Sequence, residues 1–179
     1  MKYFEIQDSP ELKYAPQLKD WYGKFDVRDI RMDRYPRLPD MQLFIVESSE
    51  NLVFTDIVLF PFLLVSPAVK KVIEMYRERC FFCNIILLDQ HRKESKLYHL
   101  PVLDETSEIQ LRSVRYQNGS RIPDEKKIQG HPLEPGRNLF WIRDSIKRHI
   151  VISLDMAESL IRRGVTGLGL CETELYDKK

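Results

Sequence analysis

The sequence has no apolar run long enough to cross a bilayer. Its greasiest stretch, residues 57–65, contains Pro61 and falls far short of the roughly 20 residues that a membrane helix needs. The first residues, Met1-Lys2-Tyr3-Phe4-Glu5-Ile6, carry no apolar leader. Cysteine is scarce and odd in number, three in all, which argues against a disulfide framework and for reduced thiols in a cytoplasmic protein. An excess of one charge is also missing, since 28 basic side chains stand against 27 acidic ones for a formal charge of +1. Opposite signs interleave locally, as in Lys24-Phe25-Asp26-Val27-Arg28-Asp29-Ile30-Arg31-Met32-Asp33-Arg34, a pattern from which no field of one sign is expected. Nucleic-acid binders normally show a basic excess or stripe, so neither nucleic acid nor membrane is an expected partner.

Catalytic motifs are equally scarce. There is no Gly-x-Ser-x-Gly, no phosphate loop and no His-Glu-x-x-His. Gly167-Leu168-Gly169 fails as a dinucleotide loop because no helix follows it. Cys80-Phe81-Phe82-Cys83 lacks a second pair for zinc, and His99 across a hairpin would bring the ligands only to three. It also precedes a strand, whereas a redox pair sits before a helix whose N-terminus activates the first thiol. Both cysteines are therefore read as core or near-core residues, with no metal and no cofactor expected. The four histidines, His91, His99, His131 and His149, are dispersed, with no evident nucleophile or orienting group beside any of them. His149 reads as a structural residue at the rim of a core strand. Binding rather than catalysis is the expected activity.

What is present is an ordinary globular composition, 43% hydrophobic and 31% charged. A chain of 179 residues fits one domain, 1–179, and should bury roughly 70% of its extended surface without staples. Residues 3–6 and 41–47 read as strands. Ser66 and Pro67 open a helix whose inner face is Val69, Val72, Ile73 and Tyr76. Residues 84–88 and 96–100 pair as a hairpin, with Pro101 stopping the ladder or placing it at an edge. Residues 104–137, poor in apolar side chains, read as a long loop with a short element near 109–114. Residues 139–142 and 149–154 are two further strands. Asp155 and Glu158 then have the spacing of a capping box for a helix lined by Met156, Leu160 and Ile161, with Gly164 as its left-handed stop. Residues 167–171 close the chain as a short strand, where glycine allows close backbone approach. The fold class is α+β, a single domain with one mostly antiparallel sheet, two main helices and a long partner-facing loop region.

Four strings in this order carry a resemblance. They are Trp21-Tyr22-Gly23 before an Asp-rich stretch, Phe62-Leu63-Leu64-Val65-Ser66 at a helix start, Leu97-Tyr98-His99-Leu100-Pro101, and Leu154-Asp155-Met156-Ala157-Glu158-Ser159-Leu160-Ile161-Arg162-Arg163-Gly164. From about residue 3 to 172 the chain resembles an immunity-protein family of bacterial polymorphic-toxin systems, formerly a domain of unknown function and named for a myxobacterial member. The resemblance implies a cytoplasmic antidote, made beside a toxin gene, that binds the cognate toxin and blocks its active site or target-binding surface. It carries over no catalytic residues. An affinity on the order of nanomolar through an interface of roughly 1,600 Å² would serve that role.

The expected contact surface lies in residues 24–40, a charge-dense stretch that should run over the surface, and 104–137, where the chain departs most from the family pattern. Arg31 and Tyr35 in the first segment, and Asp104, Glu105, Glu108 and Tyr116 in the second, are the candidate partner-binding residues. The three acids read either as a solvated loop or as a patch that meets a basic partner. Trp21 is expected to tuck under the sheet. Two other readings stay open: a small hydrolase or nucleic-acid-processing enzyme with an unrecognised site, and a scaffold subunit of a larger complex.

Overall fold

In the first strand, β1 (Tyr3–Gln7), Tyr3 and Glu5 point to one side and Phe4 and Ile6 to the other, and both sides are largely buried. A strand of that kind belongs in the middle of a sheet, and β1 lies there. The computed structural model describes residues 1–9, 13–122, 130–144 and 147–178. Pro10 of the first loop, Pro123 and the rest of 123–129, and the middle of the 143–148 connection lie outside the described residues.

Next along the chain come β2 (Met41–Ile45), β3 (Ile57–Val58), β4 (Leu64–Val65), α1 (Pro67–Met75), β5 (Cys80–Asp89) and β6 (Glu94–Leu103). The second half supplies β7 (Glu105–Thr106), β8 (Ile109–Ser113), β9 (Tyr116–Gln117), β10 (Ser120–Arg121), β11 (Leu139–Arg143), β12 (Arg148–Ser153), α2 (Leu154–Arg162) and β13 (Gly169–Asp177). The class is α+β, but among the described residues the strands form two main sheets rather than one. A six-stranded sheet runs β7-β11-β12-β1-β13-β8 and a five-stranded sheet runs β2-β5-β6-β4-β3, with β9 and β10 as a separate hairpin. All pairings are antiparallel except β7 with β11 and β2 with β5. No helix among the described residues is long and apolar enough to cross a membrane.

One main core joins both sheets and both helices, including Phe44, Leu64, Val72, Ile85, Leu100, Trp141, Ile152 and Leu160. A smaller core of Tyr3, Phe140, Ile142, Val151 and Leu175 lies on the other face of the six-stranded sheet. The close approach expected of the late glycines occurs at Gly169, where a Cβ would stand 2.5 Å from the Gln7 carbonyl oxygen.

Helix α1 begins as its sequence dictates. Ser66 accepts from the Val69 amide at 3.4 Å and donates to Asp56 Oδ1 at 2.7 Å, and Val69, Val72 and Ile73 are buried. Replacing Ser66 with alanine is expected to cost about 1 kcal/mol, read as a lower urea midpoint at unchanged slope. For α2 the cap is Ser153, not Asp155. Strand β12 runs straight into the helix, so Ser153 is the last extended residue and accepts from the Met156 amide at 3.3 Å, while Asp155 stands in the first turn. Ala157, not Ile161, completes the buried stripe, and Ile161 is exposed. Gly164 has φ +66° and its amide donates to the Ile161 carbonyl, closing the helix as expected.

Other expectations change with the tertiary context. The hairpin ladder continues through Pro101, which pairs with Phe82, to Leu103 opposite Cys80. Within 104–137 the chain forms β7 to β10 instead of one long loop, because the six-stranded sheet takes up both β7 and β8. Residues 24–40 do run over the surface, in one-turn 3-10 helices at Val27–Asp29 and Tyr35–Arg37, yet Ile30 is buried and Phe25, Met32 and Leu38 pack on the core.

Candidate binding groove

The register of β11 with β12 pairs Trp141 with Ile150 and Arg143 with Arg148, so these four side chains share the face of the six-stranded sheet that meets the main core. Where that core ends, the face stays open beneath the segment around Arg28 to Arg34. The result is a groove of about 650 Å³. Leu59, Phe62, Leu63, Pro101, Trp141 and Ile150 supply its apolar walls. Among the described lining residues, the cations are Arg28, Arg31, Arg34, Arg143, Lys147 and Arg148, and the only carboxylate is Asp144. The interleaved signs of 24–34 therefore do allow a local field. Three arginines of that segment turn to one wall and meet three cations from β11, β12 and their connection.

Arg148 is the stitch between the two walls. Its Nη1 donates to the Ile30 carbonyl at 2.9 Å, its guanidinium lies 4.8 Å from the Trp141 ring centre, and its Nε stands 2.6 Å from Glu105 Oε2. Burial pushes its pKa down, and the Glu105 charge works against that. Arg28 is held by Asp26, which accepts from its amide at 2.9 Å and from its side chain at 2.6 Å, and that clamp lowers the exposed Asp26 carboxyl to about 2.

An aromatic cluster reaches the groove through Phe62, which lines it. Trp21 meets Tyr22, Phe60 and Phe62 edge to face, with centroids 5.8, 6.2 and 6.4 Å apart. Trp21 and Phe62 pack inward, as expected of Trp21, but Tyr22 is 87% exposed and Phe60 72% exposed. Large rings held by other rings yet open to water are poised for contact.

On the opposite face of β12, His149 is buried between two acids. Its Nδ1 lies 2.6 Å from Glu5 Oε1 and its Nε2 lies 2.8 Å from Asp144 Oδ2. Lys147 Nζ stands 3.4 Å from the same Glu5 oxygen, and Gln7 donates to the other at 2.9 Å. Burial pushes the Glu5 carboxyl up, but the hydrogen bonds from His149 and Gln7, with the nearby His149 and Lys147 charges, leave it below its ordinary value. His149, read from the sequence as a structural residue at the rim of its strand, is buried between two partners, one near the N-terminus and one just before it, that were not visible as a set. Asp144 links this buried cluster to the groove.

The sequence-derived candidates divide. Arg31 lines the groove and, with Glu105, a second recess of about 430 Å³ beside it. Glu105 is no free acid, because Arg148 and Arg143 flank it, the latter at 3.7 Å. Asp104 is half-buried and its carbonyl accepts from the Trp141 amide. Glu108 is exposed at the start of β8, its amide donating to Thr106. The three acids therefore form no single patch. Tyr35 stacks on Phe81 at 3.8 Å as part of the scaffold, and Tyr116 sits on the β9–β10 hairpin, donating to Glu172 at 3.0 Å. Arg28 and Arg34 fall within the expected 24–40 contact segment without having been singled out, and sequence reasoning missed Arg143, Lys147 and Phe60. The spacing of Arg28, Arg31 and Arg34 at steps of three was the one available signal.

Cys80 and Cys83 are an odd step apart on β5 and point to opposite faces, and burial raises their thiols to about 12 and about 11. His99 is held by Asn84 at 3.0 Å rather than by either cysteine. No group of three or more His, Cys, Asp or Glu among the described residues is arranged to hold a metal ion. No protein-family model, no curated protein and no solved structure matches the chain.

Proposed function

We propose that this protein works by stoichiometric binding of another protein, in the manner of the toxin-neutralising immunity proteins it resembles, and that the partner seats on the groove and the aromatic cluster that reaches it. The observation that carries this reading is the company of side chains. Binding hot spots are rich in Tyr, Trp and Arg around a partly dry pocket. Here Tyr22 and Phe60 stand exposed on a Trp21 support that is joined through Phe62 to a recess walled by arginines.

The His149 cluster is the observation that favours the enzyme reading, since a buried His between carboxylates is a common catalytic part. Its geometry weighs against that role. Both ring nitrogens already face carboxylate oxygens, so neither is left to take a proton from a nucleophile.

The test is co-expression with the product of the neighbouring gene, scored for growth rescue and a one-to-one complex. Tyr22→Ala combined with Phe60→Ala should weaken that complex by about 2 kcal/mol, roughly thirtyfold, while leaving the unfolding midpoint unchanged. No rescue and no complex would sink the antidote reading. A complex indifferent to the double variant would put the interface elsewhere.

A further inference from the structure

We infer that the groove takes an acidic segment of the partner chain, an extended stretch whose carboxylates are clamped between its two walls. This rests on the binding reading above and names the chemistry of the partner. Arg28, Arg34, Arg143 and Lys147 are 80%, 42%, 53% and 59% exposed at their side chains. Two of these guanidiniums are poorly claimed by the protein. Among the described residues, Arg34 has its ionic contact to Asp33 at 3.9 Å and Arg143 has its contact to Glu105 at 3.7 Å, both too long for hydrogen bonds. Each keeps a planar fork of donors that fits a carboxylate in the two-pronged manner.

The placement adds direction. Arg31 and Arg34 come from one wall and Arg143 and Lys147 from the other, so an acid in the groove meets cations from both sides. Between them, the half-buried Leu59, Pro61 and Ile150 offer apolar contacts for the residues that alternate with the acids. A nucleic acid fits less well. Asp26 and Asp33, the exposed partners of Arg28 and Arg31, would repel a polyanion crossing the outer surface, whereas a short peptide within the groove avoids them. Trp141 lies buried against Arg148 and has no open ring face for a base. The whole chain carries only +1, so the cations gathered here do not reflect a chain-wide basic excess.

Titration of the full chain with a short fluorescein-labelled peptide of glutamates around a pair of leucines tests the inference by anisotropy. The expected result is saturable binding that weakens steeply with salt and falls on the order of tenfold or more when glutamine replaces glutamate. Arg34→Glu with Arg143→Glu should abolish it, and the milder Arg34→Gln with Arg143→Gln should weaken it if the reversals do not fold. Lys71→Glu, on the exposed side of α1, should leave it unchanged. Equal binding of the glutamine peptide, tighter binding of an oligothymidylate, indifference to both arginine pairs, or no binding at all would overturn the inference. The two readings fail separately. A complex with the neighbouring gene product that survives the arginine changes sinks the acidic segment alone, while peptide binding without such a complex sinks the antidote reading alone.

Discussion

Replacing His149 with alanine is expected to lower the unfolding free energy by about 3–5 kcal/mol, the usual penalty for leaving a buried charge without its partner. Glu5 is the charge in question. Its side chain is 5% exposed, and without the imidazole it keeps only Gln7 at 2.9 Å and Lys147 at 3.4 Å. The loss belongs to the broken pair, not to the ring itself. Removing both partners as Glu5→Leu with His149→Leu should therefore recover most of it, because an apolar pair of similar volume leaves no orphan. Urea unfolding of Glu5→Leu, His149→Leu and the double variant closes the cycle. Equal, additive losses would show that the pair does not act as a unit.

The same cluster sets a pH dependence. The folded Glu5 carboxyl lies below its ordinary value of 4.5, so the unfolded chain binds the proton more readily than the folded one. Its contribution is complete above that ordinary value and is lost as the pH falls through the lowered folded value. Glu174, held at about 2 by Arg112, Tyr176 and Arg121 against its burial, contributes with the same sign. Comparison with Glu5→Gln separates the two, since Glu174 is common to both proteins. In urea unfolding at a series of acidic pH values, wild type should lose its advantage over Glu5→Gln as the pH drops. An advantage that does not change with pH would contradict the assignment.

Local signals were legible and distant ones were not. Helix α1 could be read from Ser66, Pro67 and an apolar stripe, because cap, first turn and buried face all lie within ten residues of sequence. In α2 two capping residues stand two positions apart, and the choice of Ser153 depends on where β12 ends, which is a tertiary fact. Alternation and apolar runs identified β1, β2, β5, β6, β11 and β12, and the β5–β6 pairing with them, but not the other pairings and not β7, β9 or β10. Nothing in the 167–171 stretch foretold that β13 would run to Asp177 and lie between β1 and β8, and nothing local showed that the strands among the described residues would divide into two main sheets. The groove was hidden for the same reason. Interleaved charges cancel when read along the line, but the turns at Val27–Asp29 and Tyr35–Arg37 sort Arg28, Arg31 and Arg34 onto the groove wall. The cations that face them arrive from residues 143–148. The acids at 104–108 illustrate the converse, since Glu105 is drawn in by Arg148 and its neighbours are left apart.

Phe44→Ala is expected to cost about 3–5 kcal/mol, as full truncation of a buried aromatic usually does. Phe44 is 0% exposed on the edge strand β2, opposite Leu87 of β5, with Phe25 and Phe62 at centroid distances of 5.9 and 5.8 Å and Lys24 Nζ 5.2 Å above its ring. Closing the cavity draws on Phe62, the neighbouring ring that faces it. Phe62 is braced by Trp21 and Phe25, and it also walls the groove. Any inward shift of Phe62 to fill the space takes away part of the surface offered to a partner. Phe44→Ala should thus weaken the acidic peptide as well as the fold, whereas Phe44→Leu, nearer in volume, should cost about 1–2 kcal/mol and leave the peptide affinity close to wild type. Urea midpoints at unchanged slope and the anisotropy titration read the two effects. If Phe44→Ala unfolds early yet binds the peptide as tightly as wild type, Phe62 stays in place over the void, and the core supports the groove only by keeping the chain folded.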